Sequence, residues 1–189
     1  RMKVFGSSGT RGVANDELTP GFVLRVAKAA GTAWSAERVA IARDTRATGR
    51  MLADAAAAGL ASVGVDVDRL DVVATPGAQA YAEREGVPGV MITASHNPPE
   101  YNGVKLVGAD GVELAVEDLD RVEDVLVGET FADADWDDVG DETRVADARD
   151  RYVEELLASV DREKIAGADL TVSVDPGQIY AGESIGIVG

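Results

Sequence analysis

Residues 93–105 read TASHNPPEYNGVK, and they hold the chain's single histidine, His96, and one of its four lysines, Lys105. Ser95 stands next to His96, and an imidazole can activate a hydroxyl for acyl transfer. That reading is weak here, because neighbouring residues in an extended loop project in different directions and no strand-to-helix GxSxG elbow is present. A lone histidine without ligand-spaced carboxylates is a poor metal site, and the absence of cysteine removes thiolate catalysis, disulfides and Cys-based zinc together. His96 then reads either as a loop residue whose ring nitrogens fix the turn or as a substrate contact. What remains is a serine in a segment stiffened by Pro98 and Pro99, with an ammonium at Lys105 and arginine-bearing loops in the same layer. Phosphoryl transfer asks for that set: an oxygen nucleophile held in line, and positive charge around three equatorial oxygens.

The rest of the composition sharpens the point. The 189 residues carry 34 acidic and 18 basic side chains, a net charge of −16, which argues against nucleic acid or an anionic membrane as partner. A phosphate would be repelled on average, so an anion site must gather its cations locally or use a metal and backbone dipoles. Only four of the basic residues are lysines. A lysine kept where arginine is otherwise preferred points to a role for a compact ammonium whose pKa can fall on burial. Aspartate-rich surface segments such as DADWDDVGDE fit adaptation to concentrated salt, with an acidic protein of ordinary salinity as the alternative. No apolar run approaches the roughly 20 residues that span a bilayer, and MKVFGSS lacks a secretory apolar segment, so a cytoplasmic location is expected.

The elements that must position these groups follow from periodicity. Thr19 and Pro20 read as the start of a helix with Phe22, Val23, Val26, Ala27 and Ala30 at helical spacing. VAIARD (39–44) reads as a strand, 49–63 as a helix, RLDVVAT (69–75) as a strand ending at Pro76, and 79–85 as a short helix. VMITA (90–94) makes a third strand, VKLVGADGVEL a hairpin turning at Ala109, Asp110 and Gly111, and 116–127 a charged amphipathic helix. Alternating strands and helices give an α/β fold, and the hairpin makes its sheet mixed. RDTRATG, ATPG and TASHNPP all follow strands, where ligands gather in such folds. Residues 129–150 read as a surface linker, 151–161 as a helix and LTVSVD (170–175) as a strand. The last two elements are too few to close a core of their own, so they are expected to lean on the preceding domain or on another copy.

Four motifs in order give the chain a resemblance. TASHNPPEYNGVK resembles the phosphoserine loop of the alpha-D-phosphohexomutases, the phosphoglucomutases, phosphomannomutases and phosphoglucosamine mutases; FGSSGTRG is similar to their FGTSGIRG, ARDTRATG with its following helix to GRDTRxSG, and ATPG to a Thr-Pro loop. The likeness extends weakly into RYVEELLASVD and fails beyond Asp175, where a DxGNGAG-like turn is replaced by DPGQIYAGES. The resemblance implies a three-layer α/β/α first domain with a mixed sheet over residues 1–145 and an incomplete second α/β domain over 146–189. It implies that Ser95 carries the phosphoryl group, donates it to a sugar phosphate to give a 1,6-bisphosphosugar, and is restored by the other phosphate.

By the same resemblance Arg11 neutralises the moving phosphoryl group, Lys105 does likewise or assists proton transfer, and His96 shapes the loop or contacts oxygens. Asn97 is placed on phosphate or hydroxyl oxygens, and Thr10, Asp44 and Arg46 are placed at the phosphate site in support. Arg43 and Arg46 read equally well as surface ion pairs with neighbouring acids. Mg²⁺ is implied on an oxygen of phosphorylated Ser95, but the family's DGDGDR-like metal loop does not occur in these 189 residues. The implied partners are a phosphorylated hexose and further domains of a longer parent, with self-association through residues 146–189 as an added expectation. This chain alone is expected not to run the full mutase cycle. A second class of function is a non-catalytic module that keeps the fold and binds a phosphosugar or a partner.

Overall fold

A computed structural model describes residues 4–6 and 9–173. The first helix, α1 (Pro20–Trp34), begins as its sequence dictates: Thr19 Oγ1 accepts from the Phe22 amide at 3.2 Å, and Pro20 occupies the first turn, where no amide is needed. It ends on Ser35 in a left-handed conformation. Before α1 lies a short strand, β1 (Thr10–Val13), and after it come β2 (Arg38–Arg43), α2 (Gly49–Ala61) and β3 (Asp66–Val72). Then follow α3 (Thr75–Glu85), β4 (Gly89–Ile92), β5 (Tyr101–Val107), α4 (Val116–Gly128), β6 (Glu142–Arg144), α5 (Ala148–Ala158) and α6 (Arg162–Ala166).

The six strands form one mixed sheet in the order β1-β5-β4-β2-β3-β6. The pairs β4/β2, β2/β3 and β3/β6 are parallel, while β5 runs antiparallel to both β4 and β1. Side chains alternate across β2 as pleating requires. Val39 and Ile41 enter a core with α1, α2 and α4, whereas Ala40 and Ala42 enter a second core with Ala78 and Tyr81 of α3 and Ala148 of α5. The result is the expected three-layer α/β/α arrangement. The first core is light and aliphatic, and small residues let its helices touch: a Cβ on Gly59 of α2 would stand 2.4 Å from the Leu24 carbonyl oxygen of α1.

Several sequence expectations are corrected. β3 spans Asp66–Val72 rather than 69–75, and Thr75 and Pro76 begin α3 instead of ending a strand. The hairpin turn exists, with Gly108 N donating to Val112 O at 2.7 Å and Gly111 at φ 74, but its return arm shrinks to a bridge between Val107 and Glu113. The mixed character of the sheet comes from β5 lying between β1 and β4. The linker contains β6, which pairs with the outer edge of β3 from Val67 opposite Glu142 to Arg69 opposite Arg144. Helix α5 starts at Ala148, three residues before the expected helix, and rests on α3, where Tyr152 meets Gly77 and Arg84 pairs with Glu155. The expected strand 170–175 is absent over its described part, 170–173; its last two residues and the tail from 176 lie outside the described residues.

Candidate active site

The carboxyl ends of the parallel strands β2, β3 and β4 open on a cavity of ≈ 600 Å³. Its walls include Ser95, Arg11, Lys105, Asp44, Thr93 and Thr75. The location is where strands of an open α/β sheet leave room for a ligand.

Ser95 sits just past β4, exposed, with φ 55. A side-chain-bearing residue in the left-handed region is held there at a cost of order 1–3 kcal/mol by its surroundings. Those surroundings are explicit. The Ser95 amide donates to Thr93 Oγ1 at 3.0 Å, and that hydroxyl donates to Asp44 Oδ2 at 2.6 Å. Asp44 in turn accepts from the Arg46 amide at 3.0 Å and from Arg46 Nε at 3.1 Å. Arg46 then grips the loop from beneath. Its Nη1 donates to the carbonyls of Pro98 at 2.7 Å and Tyr101 at 3.0 Å, and its Nη2 to those of Ser95 and Asn97, each at 2.8 Å. The guanidinium is buried and its Nε, Nη1 and Nη2 are all engaged within the protein. It supports the loop and does not line the cavity.

Arg11 arrives from β1, whose register places it opposite Gly103 of β5. The close approach there needs glycine, since a Cβ on Gly103 would lie 2.7 Å from the carbonyl oxygens of both Thr10 and Thr93. Arg11 Nη1 donates to Asn97 Oδ1 at 3.0 Å, so the loop's amide braces an arginine that also reaches the cavity. Lys105, from β5, lines the same cavity and pairs with Glu113 Oε1 at 2.6 Å.

The remaining predicted residues lie near but play other parts. His96 is exposed, with Nδ1 3.4 Å from Ser95 Oγ, beyond the usual hydrogen-bond range. Thr10 pairs with Val104 in the sheet and does not line the cavity. Arg43 donates to the Asp44 carbonyl at 3.2 Å, stands 3.8 Å from Asp71, and lines a neighbouring cavity instead.

Thr93, Asn102, Glu113 and Arg149 were given no role by the sequence. Asn102 is fully buried, donating to Thr48 Oγ1 at 3.1 Å and accepting from the Gly103 amide at 2.9 Å, which ties β5 to the start of α2. The sequence does not mark it as buried, because it stands between the proline-stiffened loop and the apolar run VKLV. Arg149 comes from α5, well outside the quoted motifs, and carried no local signature. Among the described residues no group of three or more His, Cys, Asp or Glu is placed to hold a metal ion. This part of the chain therefore does not by itself fit a bound Mg²⁺.

Comparison with known proteins places this geometry in context. Residues 2–133 match the family model described as phosphoglucomutase/phosphomannomutase, alpha/beta/alpha domain I. The chain is 40% identical over 177 residues to a phosphoglucosamine/phosphogalactosamine mutase of Sulfurisphaera tokodaii, covering 92% of this chain and 39% of that one. It is 41% identical over 179 residues to a phosphoglucomutase/phosphomannomutase of Thermococcus kodakarensis, with the same coverage of 92% and 39%. A crystal structure of a phosphoglucomutase/phosphomannomutase family protein from Burkholderia thailandensis superposes with a TM-score of 0.72 at 27% identity, over 84% of this chain and 36% of that one. The chain thus spans about two fifths of the length of the curated relatives it matches, 39% in both cases. The match over residues 2–133, the identities of 40% and more, and the shared mixed-sheet architecture lead to one conclusion: this chain belongs to the phosphoglucomutase/phosphomannomutase family.

Proposed function

We propose that this chain is the phosphoserine-bearing part of a phosphohexomutase that interconverts hexose 1-phosphate and 6-phosphate through a 1,6-bisphosphosugar. The observation that carries the reading is that exposed, conformationally constrained Ser95 shares one ≈ 600 Å³ cavity with both Arg11 and Lys105. In a chain of net charge −16, an anion has few places where two cations meet a free hydroxyl.

In the forward half-reaction a sugar hydroxyl oxygen attacks the phosphorus of phosphorylated Ser95. The new P–O bond forms as the bond to Ser95 Oγ breaks. The hydroxyl surrenders one proton and the departing Oγ takes up one, so the proton count closes. Lys105 serves the proton transfer or the developing charge, and His96 Nδ1, 3.4 Å from Oγ, is within a short displacement of the leaving oxygen. Arg11 offsets charge on the equatorial oxygens, held in aim by Asn97. The reverse half-reaction follows once the bisphosphate turns end for end and presents its other phosphate to Ser95. Residues that read the sugar and hold Mg²⁺ are assigned to further domains of the parent. The named relatives act on different sugars, so the substrate is assigned only as a phosphorylated hexose.

A chase experiment tests the reading. The chain is loaded with phosphate from glucose 1,6-bisphosphate, freed of ligand and mixed with glucose 6-phosphate. Loss of 80 Da, about one HPO₃ unit, from the protein with matching appearance of bisphosphate supports it. A protein that binds the sugar phosphate but neither gains nor gives up the group is a binding module, and the proposal fails.

A further inference from the structure

Beside the Ser95 cavity lies a second one of ≈ 600 Å³, formed where β3, β6 and the starts of α2 and α5 meet. Arg43, Arg50, Arg69, Arg144 and Arg149 line it, five of the chain's arginines in one place and no lysine among them. The acids on its walls are Asp54, Asp71 and Glu142. Five guanidiniums face three carboxylates on its walls, and Arg149 also meets Asp150 outside them, so the lining carries an excess of positive charge in a chain whose overall charge is −16. Nor are all the arginines tightly paired. Arg69 bridges Asp54 and Glu142 at 2.9 Å each, and Arg144 meets Asp71 at 2.9 Å. Arg50 stands 3.9 Å from Asp54 and Arg43 3.8 Å from Asp71, beyond hydrogen-bond range, while Arg149 has a 3.4 Å contact with its exposed neighbour Asp150.

We propose that this arginine-lined cavity is a second anion site, separate from Ser95, that takes a divalent oxyanion of the phosphate class, either inorganic phosphate or the phosphate group of an ester. Guanidinium forks match tetrahedral oxyanions by paired N–H donors, which an ammonium cannot do. The volume lies in the range of small-molecule sites, and the excess of guanidiniums over carboxylates on its walls suits an anion. Arg149 and Val72 line both cavities, so the two sites share a wall. The proposal does not depend on Ser95 being a phosphoryl carrier.

The test uses the full chain carrying Arg11→Ala, which weakens the Ser95 cavity, titrated calorimetrically with inorganic phosphate at constant ionic strength. Saturable one-site binding is expected. Adding Arg50→Ala and Arg144→Ala, both on exposed side chains outside the Ser95 cavity, should raise the Kd at least about tenfold, the scale of one charge-assisted contact. The Arg50→Lys, Arg144→Lys pair keeps charge and fold while removing the forks, and should raise it by a smaller factor. A parallel titration with glucose 6-phosphate separates the sources: binding of phosphate itself assigns the free anion, and binding of the ester alone, weakened by the Arg50 and Arg144 substitutions, assigns the phosphate ester. No saturable binding of either, or binding unchanged by both arginine pairs, overturns the proposal.

Discussion

Replacing Arg46 tests the structural logic of the phosphoserine loop without touching the cavity wall. Arg46→Ala removes the donors to four loop carbonyls and to Asp44. Breaking a buried hydrogen-bonded ion pair from one side costs about 3–5 kcal/mol. Two of the freed carbonyls belong to the exposed loop residues Ser95 and Pro98, which water can reach, so the lower end of that range, about 3 kcal/mol, is the better figure. For a chain of this length each kcal/mol moves the midpoint of thermal unfolding by about 2–4 °C, and the expected drop is therefore about 6–12 °C. Arg46→Lys keeps the charge but replaces a planar fork by one compact donor, and should cost a part of that, about 1.5 kcal/mol. Both variants should also slow phosphorylation of Ser95 by glucose 1,6-bisphosphate, because Ser95 loses the support for its φ of 55 while Arg11 and Lys105 stay in place. The assay pairs thermal unfolding by circular dichroism with the rate of intact-mass gain. If Arg46→Lys melts within 1–2 °C of the parent, about the scatter of a surface change, and is phosphorylated at the parental rate, the claim that this guanidinium orders the loop is refuted.

Arg11→Ala should lower the rate of Ser95 phosphorylation by about 10²–10³, the usual cost of losing one donor to a developing oxyanion, with the melting temperature little changed; stopped-flow quench and mass analysis would measure it. Gly59→Ala drives a Cβ to 2.4 Å from the Leu24 carbonyl oxygen and should destabilise the α1/α2 contact by about 1–3 kcal/mol in denaturant titration. Burial, and then the hydrogen bond to Asp68, hold the Tyr81 phenol well above its ordinary 10.0. A raised folded-state pKa means the unfolded chain loses this proton first, so the stability it contributes is intact below pH 10.0 and falls as pH rises beyond it. Tyr81→Phe should flatten that alkaline decline in urea titrations at stepped pH. A coupled assay for conversion of hexose 1-phosphate to 6-phosphate should show no turnover by the 189-residue chain alone.

The inner sheet was legible because its strands obey simple patterns. The apolar run VAIARD at 39–44 forms β2 at Arg38–Arg43, and Thr19 with Pro20 marks the start of α1 to the residue. The sequence pattern puts β3 three residues late because Asp66 and Asp68 spoil its apolar run, yet Asp68 is buried. Its carboxylate is satisfied by Tyr81 Oη at 2.8 Å and Arg38 at 3.3 Å, partners that only the tertiary fold supplies. β6 had no signature at all: Glu142, Thr143 and Arg144 are exposed, and the strand exists only because the edge of β3 offers it hydrogen bonds. At the site, residue types singled out Ser95 and Lys105 and the family resemblance added Arg11, and all three line one cavity. Residue types and order did not reveal that Arg46 faces inward to the loop's carbonyls, since an arginine two residues from an aspartate looks in sequence like a solvated pair. Arg149 was invisible for the opposite reason, being brought in by the docking of α5 rather than by any neighbour in the chain.

The most direct measurement is site-resolved fragmentation mass spectrometry of the chain after incubation with glucose 1,6-bisphosphate. The account predicts a single phosphoryl group on the peptide containing residues 93–105, localised to Ser95 and absent from Ser95→Ala. Phosphate found on another hydroxyl, or no phosphorylated peptide from a folded chain that demonstrably binds the bisphosphate, would contradict it.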